Sequence, residues 1–206
     1  MRLSLADLHA TIRQSGLPEL QGLPTSAIMA AIAAAEGGDP EAWVEHDPPR
    51  SSRAPPSSGL YQVNRGSWPE IYEATEQVRL DTTLSDRQKV VRMTDLARPI
   101  LADALETAAA AQRTLAARGM PPAPLQVALF VNATWQAGSD NVLEWARRTV
   151  TGNPGEIVNP KRALAVAASL RHLAADALGL IPGAGMILGV FALFGLAAFA
   201  VSQLET

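Results

Sequence analysis

Cysteine is absent from all 206 residues. Its absence excludes a disulfide framework and any thiolate metal site. Histidine is nearly as scarce. The three present, His9, His46 and His172, are scattered and lack the short, fixed spacing of metal ligands, so no metal or organic cofactor is expected. Charge is sparse as well: ionisable Asp, Glu, Lys and Arg make up 18% of the chain, with a net charge of -3. Without the basic clusters that neutralise phosphate, no nucleic-acid partner is expected. Strand-like alternation of apolar and polar residues is missing over any useful length, which leaves a mainly α fold with at most a small hairpin near residues 45–65. Residues 1–16 carry no continuous apolar stretch, because Asp7, His9 and Arg13 interrupt it; they read as a short helix with Leu5, Leu8 and Ile12 on one face, not as a signal peptide. No internal repeat is visible.

The chain is rich in apolar residues, at 48%, and they concentrate at one end. Residues 177–201 contain no charge. At about 1.5 Å per helical residue that run matches the roughly 30 Å hydrocarbon core of a bilayer. Its periphery is apolar all round, which a water-facing helix does not tolerate. A C-terminal single transmembrane helix over 177–201 is therefore expected. Pro182 and Gly183 lie near its start, and Gly185 and Gly189 form a small-xxx-small pair suited to close helix packing. Lys161, Arg162 and Arg171 precede the run, and by the positive-inside rule they would hold the preceding domain in the cytoplasm.

Turn and cap residues divide the remainder into helices. Thr25 or Ser26 is the expected N-cap of a helix over 27–35, stopped by Gly37-Gly38. Residues 46–58, dense in proline and serine, form a loop. A helix over 69–80 is entered through Ser67 as N-cap, with Pro69 in its first turn. From Ser85 a longer helical region runs to about Arg118, ended or kinked by Pro99 and closed at Gly119-Met120-Pro121-Pro122. Helices over 124–137 and 141–150 follow, then a linker at Gly152-Asn153-Pro154-Gly155 and a helix over 161–175 feeding the apolar tail.

Among these elements one carboxyl group stands out. Glu36 closes the apolar string Ile28-Met29-Ala30-Ala31-Ile32-Ala33-Ala34-Ala35. Burial beside those residues and the negative end of the helix dipole both disfavour a carboxylate there. A glutamate so placed holds a proton nearer to neutral pH, as a general acid for glycosidic cleavage requires. No second carboxylate is singled out among Asp39, Glu41, Glu45, Asp47 and Glu70.

Two further strings complete a pattern. After Glu36-Gly37-Gly38 come Ser58-Gly59-Leu60-Tyr61-Gln62-Val63-Asn64, and then Ala133-Thr134-Trp135-Gln136-Ala137-Gly138 trailed by Asn141-Val142 and Trp145. Gly59 would let backbone approach a sugar, and Gln62 offers a donor and an acceptor to hydroxyl or N-acetyl groups. In order and content the three strings resemble the soluble lytic transglycosylases of the lysozyme superfamily, over about residues 24–150. Tyr61 stands where the family more often has methionine, Trp135 where it has tyrosine, and Gln136 where it has asparagine.

The resemblance implies a lysozyme-like domain over 24–150, preceded by an N-terminal helical segment (1–23) and followed by a linker and helix (151–176) and the transmembrane helix (177–201). It implies Glu36 as the catalytic residue, and Gly59, Leu60, Tyr61, Gln62, Trp135 and Gln136 as substrate-binding residues. The expected partner is the peptidoglycan glycan strand, cleaved at the MurNAc-GlcNAc β-1,4 bond, and Trp68 is a further candidate to stack on a pyranose. A domain held in the cytoplasm has no peptidoglycan to act on. The expectation is therefore a phage virion protein, contacting membrane and other virion proteins, that opens the cell wall during genome entry. The alternatives are a membrane-anchored bacterial transglycosylase, a lysozyme-type hydrolase, and a catalytically inactive lysozyme-fold virion protein.

Overall fold

A computed structural model describes residues 3–17, 25–37, 56–120 and 126–179. Among them the architecture is mainly helical, with a single two-stranded antiparallel hairpin. The elements are α1 (Leu5–Ile12), α2 (Thr25–Gly37), β1 (Ser57–Ser58), β2 (Val63–Asn64), α3 (Pro69–Leu80), α4 (Asp86–Leu96), α5 (Arg98–Ala117), α6 (Gln126–Ala137), α7 (Ser139–Arg148) and α8 (Pro160–Gly179). They fall into two compact units, residues 1–99 and residues 100–206. Of the expected transmembrane run, residues 180–201 lie outside the described residues, and among the described residues no helix is long and apolar enough to cross a membrane.

The first unit is built on α2. Ile28, Met29, Ala30, Ala31, Ile32 and Ala33 are all buried, so the helix is enclosed on every side and not along one stripe. Each of its large side chains contributes about 1.5–3 kcal/mol by leaving water. Against α2 packs α1, which begins with the Ser4 hydroxyl accepting from the Asp7 amide at 3.1 Å and buries Leu8 and Ile12. A polar tie joins the two helices: His9 Nε2 lies 3.2 Å from Ser26 Oγ. Burial, and then the charge of Arg13, lower the His9 pKa. Helix α4 starts in a capping box, with Ser85 and Gln88 satisfying each other's backbone amides, and buries Val90, Met93 and Thr94.

At Pro99 the helical region that starts after Ser85 is ended, one of the two outcomes expected there. Pro99 sits at the second position of a new helix, α5, after Ala97 ends α4, and in a first turn its missing N–H costs no helical bond. The N-cap of α3 is Trp68, not Ser67. The Asn64 side chain accepts from the amides of Gly66 (2.9 Å) and Ser67 (3.2 Å), so residue 67 is already held in the preceding turn.

In the second unit α5 buries Ile100, Leu101, Ala104, Ala108, Ala111 and Leu115, a stripe at helical spacing. It ends in a Schellman motif: Gly119 is left-handed (φ 76°), Met120 N donates to Leu115 O at 2.9 Å and Gly119 N to Ala116 O at 3.0 Å. Helix α7 runs from Ser139 to Arg148, not over 141–150. Helix α6 ends at Ala137 as expected, Gly138 follows at φ 83°, and at the far end of α7 the Arg118 guanidinium takes the carbonyls of Ala146 (2.8 Å) and Thr149 (2.7 Å). Phe130 of α6 packs on Trp145 of α7 with ring centroids 5.9 Å apart.

The stretch expected as a linker is folded. Pro154 is buried and opens a 3-10 turn, Pro154–Ile157. Glu156 in that turn accepts from Trp145 Nε1 (2.8 Å), Thr149 Oγ1 (3.0 Å) and Thr151 Oγ1 (2.5 Å). Partial burial pushes its pKa up, but the hydrogen bonds from Thr151, Trp145 and Thr149 outweigh it and hold the carboxyl below its ordinary value. A depressed carboxylate stabilises the fold above its unfolded pKa and loses that contribution as pH falls through the folded one. Urea midpoints measured from pH 7 down to pH 3 are expected to fall more steeply for the parent protein than for Glu156→Gln, which cannot titrate.

Candidate functional site

Glu36 occupies the last full turn of α2, at the exit from its enclosed apolar segment. The side chain is half-buried, and its Oε2 atom is shut off from solvent. The C-terminal carbonyls of α2 add a negative potential at the same end. Of the other carboxyls considered, Asp39, Glu41, Glu45 and Asp47 lie outside the described residues, and Glu70 is exposed in the first turn of α3.

The second string takes a definite shape. Gly59, Leu60, Tyr61 and Gln62 are the four-residue loop that joins β1 to β2, with Ser58 opposite Val63 and Ser57 opposite Asn64. Gln62 N closes the turn on Gly59 O at 3.1 Å. A hairpin loop ordinarily points into water. This one is driven inward, and Leu60 and Tyr61 are each only 1% exposed. The Leu60 amide faces Met93 Sδ at 3.4 Å, and the Tyr61 hydroxyl lies 2.8 Å from Thr94 Oγ1. Thr94 gives its own proton to Val90 O at 2.8 Å, so Tyr61 is the donor in that pair. Burial pushes the Tyr61 phenol well up, and Asp95 adds to the shift while the Thr94 bond opposes it. The phenol is therefore a neutral, committed donor at any physiological pH. The Leu60 amide and the Tyr61 hydroxyl tie the loop to α4.

Gln62 has the opposite character. It is partly exposed and holds φ 47°, the only non-glycine in the left-handed region among the described residues. That conformation costs roughly 1–2 kcal/mol. The loop offsets the cost with two bonds to the same side chain: Ser57 Oγ donates to Oε1, and Nε2 donates to Gly59 O, each at 3.0 Å. The amide is thereby held in one orientation at the loop's rim.

Gly59 is required on two counts. Its φ is 77°, and a Cβ there would stand 2.3 Å from Thr75 Cγ2 on α3 and 3.5 Å from Met93 Sδ on α4. Beside it, the fully buried Ser58 donates its hydroxyl to Glu76 Oε1. Glu76 in turn accepts both arms of Arg79, at 2.7 and 2.6 Å. The Arg79 bonds, opposed by burial and assisted by Ser58, hold the Glu76 carboxyl below its ordinary value, so it stays ionised. Sequence reasoning included Ser58 in the second string without giving it a role, and missed Thr75, Glu76, Met93 and Thr94, which carry no local signal.

The third string lies in the second unit. Trp135 is partly exposed on α6. Gln136 donates through Nε2 to Asn132 Oδ1 and accepts through Oε1 from Asn159 N, both at 3.0 Å. Its amide thus fastens α6 to Asn159, the residue that leads into α8. Trp145, the trailing aromatic, is buried against Phe130 and bonded to Glu156. Trp68 in the first unit is partly exposed at the N-cap of α3. Among the described residues no group of His, Asp and Glu side chains is arranged to hold a metal ion.

Gly59→Ala combines left-handed strain with overpacking, and a loss of about 2–4 kcal/mol is expected in urea unfolding of the full chain. Adding Thr75→Ser removes the opposing methyl group. It should recover the packing part of that loss and leave the conformational part.

The chain matches no protein-family model, and no curated protein and no solved structure is significantly similar to it.

Proposed function

We propose that the protein is a peptidoglycan lytic transglycosylase in which Glu36 is the single catalytic acid and base. The observation that carries this reading is the placement of Glu36: a carboxyl at the C-terminal end of an enclosed apolar helix, with one oxygen shielded from water. Desolvation and the helix dipole both favour the protonated form. In that form Glu36 gives its proton to the glycosidic oxygen between MurNAc and GlcNAc, and the C1–O bond breaks. The resulting carboxylate then removes the proton of the MurNAc C6 hydroxyl as O6 bonds to C1, closing a 1,6-anhydro ring and restoring the acid. No water is consumed. The Gln62 amide, held in one orientation at the rim of the loop over residues 59–62, supplies hydrogen bonds to the sugar.

Delivery belongs to the same proposal. The uncharged run over 177–201 is read as a membrane anchor, and the basic residues Lys161, Arg162 and Arg171 before it favour retention of the preceding chain on the cytoplasmic face. Peptidoglycan lies on the other side. Carriage in a phage particle, with local wall opening at entry, brings enzyme and substrate together.

Purified peptidoglycan embedded in a gel tests the chemistry. The parent protein is expected to clear it, and Glu36→Gln to lose clearing by about a hundredfold or more. Mass spectrometry of the products should give anhydro-muropeptides, lighter by one water than hydrolysed ones. Reducing-end products would make the enzyme a lysozyme-type hydrolase. Equal clearing by Glu36→Gln would reject the role given to Glu36, and no clearing by the parent protein would leave the non-enzymatic reading.

A further inference from the structure

We infer that Glu76 is a positioning residue for the glycan-binding loop: through Ser58 it sets where the loop over residues 59–62 sits on α3. The inference rests on the transglycosylase reading and deepens it. Two successive residues of α3 grip two successive residues of the hairpin. The Thr75 methyl group occupies the space beside Gly59, and the Glu76 carboxylate takes the hydroxyl of the fully buried Ser58. The first contact limits how far the loop can approach α3, and the second stops it from lifting away.

Glu76 is suited to that work because its own position is fixed. Arg79, one turn later on α3, bonds both carboxylate oxygens, and both side chains are four-fifths buried. Arg79 is itself steadied where Lys89 Nζ donates to its backbone carbonyl at 2.7 Å. A charge-assisted bond to a buried hydroxyl is among the stronger single contacts available to a loop this short. It lies one residue from Gly59 O, which receives both the Gln62 amide N–H and the Gln62 side chain. Displacing Ser58 therefore displaces the acceptor that orients Gln62. None of these groups touches a reacting atom in the proposed mechanism. Loss of the Ser58–Glu76 bond should weaken sugar binding and leave the proton transfers of Glu36 intact.

The experiment uses the full chain and a soluble peptidoglycan glycan oligomer. Ser58→Ala deletes the hydroxyl without unpairing Arg79, and Glu76→Ala deletes the acceptor. Both are expected to raise KM about tenfold with kcat within twofold of the parent protein. Hydrogen exchange should show lost protection at the amides of Gln62 (bonded within the loop) and Arg65 (bonded to Pro56 at the base of the hairpin), with α4 unchanged. Glu76→Gln keeps an acceptor for Ser58 and should recover most of the KM. Unchanged KM and unchanged loop protection in Ser58→Ala would overturn the inference, as would a fall in kcat at constant KM. Those outcomes are distinct from failure of the underlying reading, which shows as no turnover by the parent protein or as undiminished turnover by Glu36→Gln.

Discussion

A threonine methyl group on α3 fills the space that any side chain at residue 59 would need, and the hairpin of the first unit is organised around that contact. With glycine there, the chain turns through left-handed backbone directly against α3 and α4. Leu60 and Tyr61 then follow into the interior, and Gln62 emerges at the rim with its amide clamped. A larger residue at 59 would push the loop outward and expose two large apolar side chains. The short strands β1 and β2 are too small to hold the loop by themselves. Packing on the helices, together with the Ser58–Glu76 and Tyr61–Thr94 bonds, does so instead.

The same economy governs the helix that carries Glu36. α2 is enclosed because its residues are almost all small or aliphatic, and an enclosed helix has few places for a charged group except at its ends. Glu36 stands at the end where the dipole makes a negative charge least welcome. Stability alone favours a basic residue at that position. The combination is what links the architecture of the first unit to acid chemistry in the proposed function. In the second unit the polar groups of the third string are turned to packing. Gln136 fastens α6 to the approach of α8, and Trp145 joins Glu156 in holding the turn after α7.

Helix identity was legible from the residues because it depends on local signals. Ser85 marked the start of α4, Pro69 the first turn of α3, and Gly119 the end of α5. Less legible were features set by partners distant in sequence. Ser67 has the chemistry of an N-cap, but Asn64 captures its amide first. The 152–155 stretch has the composition of a linker, yet a tryptophan and two threonines from the preceding helix and turn bind Glu156 and fold it. Tyr61 and Leu60 carry no mark of burial in a motif flanked by glycine and polar residues, since α4 supplies the burial from about thirty residues away.

By itself the amino-acid sequence determined a mainly helical chain and a glutamate at the close of an apolar helix, because propensity, capping and periodicity act within a few residues. Tertiary structure alone decided that Leu60 and Tyr61 are anchors, that Gln62 is held in a left-handed rim position, and that Glu76 and Thr75 locate the loop. Those roles depend on which atoms α3 and α4 bring within contact distance of the hairpin, and no local pattern encodes a contact made across the fold.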